Sequence, residues 1–145
     1  MLTRLFYASR AVEGIDGALL KSILEHSRTH NLEHGITGIL CSHAGGSFFL
    51  QALEGARSEV NSLYRNIVRD RRHCEVTLLD YAEIHERRFS GWRMGSVDLN
   101  KVNPGSILRY SEKAVLDPFS MTGKAVLALL DDLIATAAIV SYEGH

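Results

Sequence analysis

The spacing of apolar residues along the chain predicts seven elements before a helical tail. Residues 2–9 are dense in apolar and aromatic side chains and predict a first strand, with Thr3, Leu5 and Tyr7 on one face. A turn over residues 13–17 follows, and Asp16 is placed to cap a helix. Leu19, Leu20, Ile23, Leu24 and Ser27 then recur at helical spacing, with Ile23, Ser27 and Asn31 in one row. His30-Asn31 and Gly35 mark the end of that helix. Residues 36–43 predict a second strand and residues 44–47 a hairpin turn. A third strand follows over residues 47–54, broken by Gly55. Ser58 is placed to cap a second helix with Val60, Leu63, Tyr64, Ile67 and Val68 on its apolar face.

Residues 76–82 and 93–99 predict strands four and five. An irregular, partly helical segment begins at Asn103-Pro104. From Thr122 onward a last helix carries Val126, Leu127, Leu130, Leu133, Ile134 and Ala137 on one side. The order βαββαββ predicts an α+β, ferredoxin-like sheet. Both helices arise from crossovers and belong on one face. The first and third strands are apolar on both sides, so the C-terminal helices are expected to cover the other face. Residues 1–100 then form the sheet unit, and residues 101–145 a helical extension packed on it.

Composition narrows the class. A chain of 145 residues predicts one domain. The formal net charge of -1 gives no reason to expect nucleic acid or an anionic membrane as partner. Residues 127–140 are the longest apolar stretch, but Asp131 and Asp132 interrupt it, and it is too short to span a bilayer. Arg4 stands where a leader's apolar run would begin, so none is expected. Cys41 and Cys74 lie far apart in strand-like runs, which predicts buried, reduced thiols and a cytoplasmic setting. The seven histidines lack metal-ligand spacing, and no G-x-S-x-G elbow occurs, so neither a metal site nor a serine nucleophile is expected.

The candidate chemistry centres on residues 47–55, an apolar strand with one amide, Gln51, in its middle. A buried amide costs a few kcal/mol unless it is hydrogen-bonded. Backbone groups would satisfy it in an ordinary core. Alternatively, it is a switch: a carboxamide has one acceptor oxygen and two donor hydrogens, so turning it over, or changing its tautomer, swaps donor for acceptor in place. Tyr7 is either a core tyrosine with its hydroxyl at the rim or a donor. Its phenol is protonated at neutral pH and can give up both an electron and a proton. His30 and Asn31 suit a helix C-terminus, yet Asn31 also falls in the row turned to the sheet. There its amide could pair with the polar edge of a bound ring, with Ser27 adding a hydroxyl and Ile23 and Ile36 an apolar wall. Residues 69–73 form a charge run, either a solvated helix end or, through Arg72 and His73, an anion contact. Trp92 and Met94 share strand parity and are either anchors or a movable packing element.

Six strings now stand in order: Leu5-Phe-Tyr7-Ala-Ser9, His30-Asn31, Gly35-Ile-Thr-Gly-Ile39, Phe49-Leu-Gln51-Ala-Leu-Glu-Gly55, Asp70-Arg-Arg-His73 and Arg88-Phe-Ser-Gly-Trp92-Arg-Met94. Together they resemble the BLUF family of flavin-binding blue-light receptors, in its short, single-domain form. The resemblance covers roughly residues 1–100. It implies FAD, with FMN as the alternative, bound non-covalently between the two helices. It implies that light drives electron and proton transfer from Tyr7, that the hydrogen bonds of Gln51 rearrange, and that a reversible red-shifted state results. Asn31 would hold the ring with His30 beside it, and Ile23, Ser27, Ile36 and Phe49 would line it. Asn66 stands where relatives can carry a phosphate-facing arginine, with Arg65 next to it, and Asp70, Arg72 and His73 complete the phosphate end. Trp92 and Met94 would relay the change. The resemblance further implies a receptor, not an enzyme, with output to a downstream protein or through a homodimer. Two other readings stay open on the residues alone: a ferredoxin-like binding module acting by dimerisation, and a flavin oxidoreductase. The first leaves Tyr7, Asn31 and Gln51 unexplained, and the second lacks any nicotinamide site.

Overall fold

The fold is described from a computed structural model, which describes residues 1–136 and 139–141. Strand β1 (Leu2–Ala11) leads to helix α1 (Gly17–His34), β2 (Thr37–His43), β3 (Phe48–Ala56), helix α2 (Arg57–Arg69) and β4 (His73–Ile84). Then come β5 (Gly95–Asp98), a short helix α3 (Pro104–Leu108), α4 (Gly123–Ala135) and a two-residue strand β6 (Val140–Ser141). The sheet order is β4-β1-β3-β2-β5-β6. Its first four positions are the ferredoxin-like arrangement, all antiparallel. β5 joins parallel to β2, with Ile39 opposite Gly95.

β3 is the centre of the sheet, and eight of its nine residues are buried. Alternation divides the core in two. Leu5, Tyr7, Phe49 and Leu53 face α1 and α2 together with Leu24, Leu40 and Val60. Phe6, Leu50, Ala52, Ile39 and Cys41 face the opposite way, onto Val126, Leu129, Leu130 and Leu133 of α4. The tail therefore covers the second sheet face, as an apolar strand on both sides requires. Ala137, assigned to this helix by periodicity, lies outside the described residues.

Local signals account for most boundaries. Asp16 accepts from the Leu19 amide at 2.8 Å and starts α1, and Gly35, at φ 65°, closes it. Thr122 accepts from the Ala125 amide at 3.1 Å and starts α4. Gly38 is required by contact: a Cβ there would lie 2.1 Å from the Ala52 carbonyl oxygen.

Four expectations need correction. Gly55 does not break β3; the strand runs through it to Ala56, and a side chain at Gly55 would press on the Gly35 carbonyl at 3.2 Å. Ser58 does not cap α2, because the helix already begins at Arg57, whose amide donates to the Met1 carbonyl at 3.2 Å. β5 is shorter than residues 93–99, and the tail contributes β6 to its edge rather than helices alone. Cys41 is buried, but Cys74 is exposed, because it lies on β4, the edge of the sheet.

Candidate functional site

Helices α1 and α2 flank a cleft of about 220 Å³ above the sheet. That is far more than the about 10–15 Å³ one water needs, so the cleft is of ligand size. Its floor comes from three neighbouring strands: Tyr7 of β1, Phe49 and Gln51 of β3, and Leu40 of β2. Tyr7 and Leu40 are the register partners of Gln51 on either side. This register sets the phenol beside the amide, since directly opposed residues share a face.

Tyr7 donates its hydroxyl hydrogen to Gln51 Oε1. Gln51 Nε2 donates to Met94 Sδ at 3.3 Å. Asn31 Nδ2 donates to the Arg93 carbonyl. Asn31 Oδ1 and His30 Nδ1 are buried and have no hydrogen-bond partner among the described residues. Both residues line the cleft. A buried acceptor without a donor costs about 1–3 kcal/mol, so the Asn31 carbonyl oxygen calls for a donor group on whatever fills the space.

Most of the predicted site residues meet here. Ile23, Ser27, His30, Asn31, Phe49, Asn66, Asp70, Arg72, His73, Met94, Tyr7 and Gln51 all line the cleft. Ile36 does not; it is 1% exposed and sits in the core beneath, against Gly55. It stands between the Gly35 cap and the first residue of β2, and its side chain joins the core with Leu24, Leu53 and Val60. Trp92 also departs: it is half-buried against the α4 side of the sheet, while Met94 is buried on the cleft side. The shared parity fails because residues 92–94 form bends ahead of β5, where strand alternation does not apply. His26, Leu40, Leu63 and Ile67 line the cleft but were not singled out. His26 lies one turn before His30, and Leu63 and Ile67 belong to the apolar row of α2, so helical spacing held the signal.

At the mouth, Asp70 and Arg72 hold one another, with Arg72 Nη2 at 2.6 Å from Asp70 Oδ2. The Arg72 side chain holds the Asp70 carboxyl below its ordinary range, and Asp70 raises Arg72 in turn. His73 uses both ring nitrogens inside the protein, against Ser9 Oγ and the Ile67 carbonyl. It fastens the start of β4 to β1 and α2.

Burial raises Tyr7 far above the usual tyrosine value, with Tyr64 and Asp70 adding to the effect. Burial also pushes the Cys41 thiol from 9.0 up to about 12. In both cases the folded chain keeps a proton that the unfolded chain releases. The stability these groups contribute is complete below their unfolded values and is lost as pH rises, at up to about 1.4 kcal/mol per pH unit for each. Urea unfolding midpoints should therefore fall from about pH 9 upward, and Cys41→Ala should flatten the first part of that fall. A midpoint independent of pH between 8 and 11 would contradict this assignment.

Among the described residues no helix is long and apolar enough to cross a membrane, and no group of metal-binding side chains occurs.

A family model described as sensors of blue light using FAD matches residues 2–95. The chain is 36% identical over 96 residues to the photoactivated adenylate cyclase subunit beta of Euglena gracilis, a match covering 66% of this chain and 11% of the cyclase subunit. The chain thus spans about a tenth of that curated relative. Among solved structures, the photo-activated state of BlsA superposes with a TM-score of 0.82 at 30% identity, covering 92% of this chain and 95% of BlsA. The dark state of BlrB, described as a BLUF protein, superposes with a TM-score of 0.76 at 34% identity, covering 94% and 96%. With the family model matching well over half of its length, the chain belongs to the BLUF family, the sensors of blue light using FAD.

Proposed function

We propose that this chain is a blue-light photoreceptor that holds a flavin, FAD in the first instance, non-covalently between α1 and α2. The observation that carries the reading is the pairing of Tyr7 with Gln51 at the floor of a cleft whose wall leaves the Asn31 carbonyl oxygen unpartnered. A flavin ring fits these residues. Its polar edge offers a donor for Asn31 Oδ1, and its faces suit Ile23, Phe49, Leu40 and Leu63. Arg72 would meet the phosphates, shared with Asp70.

When bound, a flavin supplies blue-light absorption and an excited state that accepts an electron. Tyr7 would lend the electron and then its phenolic proton, which burial keeps in place in the dark, and would take both back once Gln51 has turned. Gln51 stores the result. In the structure its Oε1 accepts from Tyr7 and its Nε2 donates to Met94. Turning the carboxamide puts Nε2 against the phenol oxygen and Oε1 against the sulfur. A thioether has no hydrogen to donate, so the contact to Met94 is lost and the side chain is free to repack. Residues 1–100 act as the sensor and residues 101–145 as the output extension, which passes the change to a partner protein or a second copy.

The purified protein should be yellow, and denaturation should release the flavin intact, FAD or FMN by chromatography. A colourless protein that takes up no added flavin refutes the reading and favours a ferredoxin-like binding module. Rapid turnover with a nicotinamide donor would instead favour an oxidoreductase.

A further inference from the structure

Residues 87–94 have no regular secondary structure, yet they are gripped from one end to the other. Three side chains adjacent across three strands hold the first part. Arg4 of β1, Glu54 of β3 and Thr37 of β2 are register partners. Glu54 is fully buried. Its carboxylate accepts from the Arg88 amide at 3.0 Å, the Phe89 amide at 2.8 Å and Arg4 Nε at 2.9 Å. Thr37 Oγ1 accepts from Arg87 Nη1 at 3.1 Å, and the Arg4 guanidinium lies 5.9 Å from the centre of the Phe89 ring. Phe89 itself is wholly buried in the α4-side core.

The far part of the same segment ends at the cleft. The Trp92 carbonyl accepts from the Gly38 amide at 3.0 Å, the Arg93 carbonyl accepts from Asn31, and Met94 Sδ accepts from Gln51. In the middle, Arg88 Nη1 donates to Asp131 Oδ2 of α4 at 2.9 Å. One irregular segment therefore touches Gln51, Asn31 and the helix on the opposite sheet face. Gln51 and Glu54 are three residues apart on β3 and point to opposite faces, so the same strand holds both ends of the segment.

We propose that Glu54 is a positioning residue for the light response. It is the fixed post against which residues 88–94 act as a lever. By holding two successive amides, it sets where the Arg93 carbonyl and Met94 meet Asn31 and Gln51, and it places Arg88 to carry a change at Gln51 to Asp131 and α4. The inference rests on the Tyr7–Gln51 reading above, which it extends from the cleft to the output helix.

Glu54→Gln in the full chain tests it. A carboxamide presents one acceptor oxygen in place of two, so one of the amide contacts must go. Hydrogen exchange at whichever of the Arg88 and Phe89 amides loses its acceptor should quicken about tenfold, with or without bound flavin. The red-shifted state should still form, but it should return several-fold faster in the dark, and the light-induced change in α4 exchange should be lost. Asp131→Asn should keep the parent's shift and return rate and lose only the α4 change. A merely structural role predicts a lower Tm with an unaltered return rate and α4 response, and that result overturns the proposal. So does a parent protein whose α4 does not respond to light. If the Gln variant does not fold, Asp131→Asn decides: an unchanged α4 response overturns the lever. A parent with no spectral shift at all refutes the Tyr7–Gln51 reading instead, which keeps the two failures apart.

Discussion

Tyr7→Phe should keep the flavin and abolish the light-induced spectral shift. The substitution removes one oxygen and leaves the ring in its place among Leu5, Leu24 and Val60. The donor to Gln51 Oε1 is then gone, and a buried acceptor is left unpaired at a cost of about 1–3 kcal/mol. Folding should survive this, as should binding, because the orphaned Asn31 oxygen and the apolar walls of the cleft are untouched. Only the source of the electron and proton is lost. Absorption spectra of the variant before and after blue illumination check this. A full, reversible shift without the Tyr7 hydroxyl would show that another group is the donor, and Tyr64, whose ring centre is 5.8 Å from that of Tyr7, would be examined first.

Gln51→Leu should be equally blind for a different reason. Leucine fills similar space and continues the apolar run of β3, so the fold should hold, less about 1–3 kcal/mol for the Tyr7 hydroxyl left without its acceptor. Flavin should bind. The variant has a donor but nothing whose hydrogen bonds can be exchanged, so no lasting red-shifted state can form. Met94 also loses its hydrogen-bond partner, so the segment ahead of β5 should exchange amide hydrogens faster than in the parent protein. The pair of variants separates supply from storage: one removes the electron and the proton, the other removes the memory. A persistent red shift in Gln51→Leu would place that memory elsewhere in the cleft.

The sheet and most of the cleft were legible in the sequence because they rest on period. Two-residue alternation put Thr3, Leu5 and Tyr7 on one face, the four-residue row through Ile23, Ser27 and Asn31 marked one wall, and the family resemblance brought Gln51 to them. What was not legible depends on where regular structure stops. Trp92 and Met94 were assigned to one side by strand parity, but bends separate them and send them to opposite sides of the sheet. Ile36 follows a helix cap by one residue, and no local pattern tells which layer receives it. Ser58 has the composition of a cap, yet the first turn of α2 is met by the backbone of Met1, a contact far away in sequence. His73 reads as part of an exposed charge run, and only the folded chain brings Ser9 and Ile67 to its two nitrogens. Glu54 was legible only as one letter of a motif, since its partners at Arg88 and Phe89 come from a segment without periodicity.

The most direct test is a light-minus-dark difference spectrum of the purified parent protein. A phenol that can be oxidised beside an amide that can turn predicts a small red shift of the flavin bands under blue light, without bleaching, which relaxes fully in darkness and can be repeated. Irreversible bleaching, the loss of the visible bands that accompanies a new covalent bond, or no change at all would contradict the account.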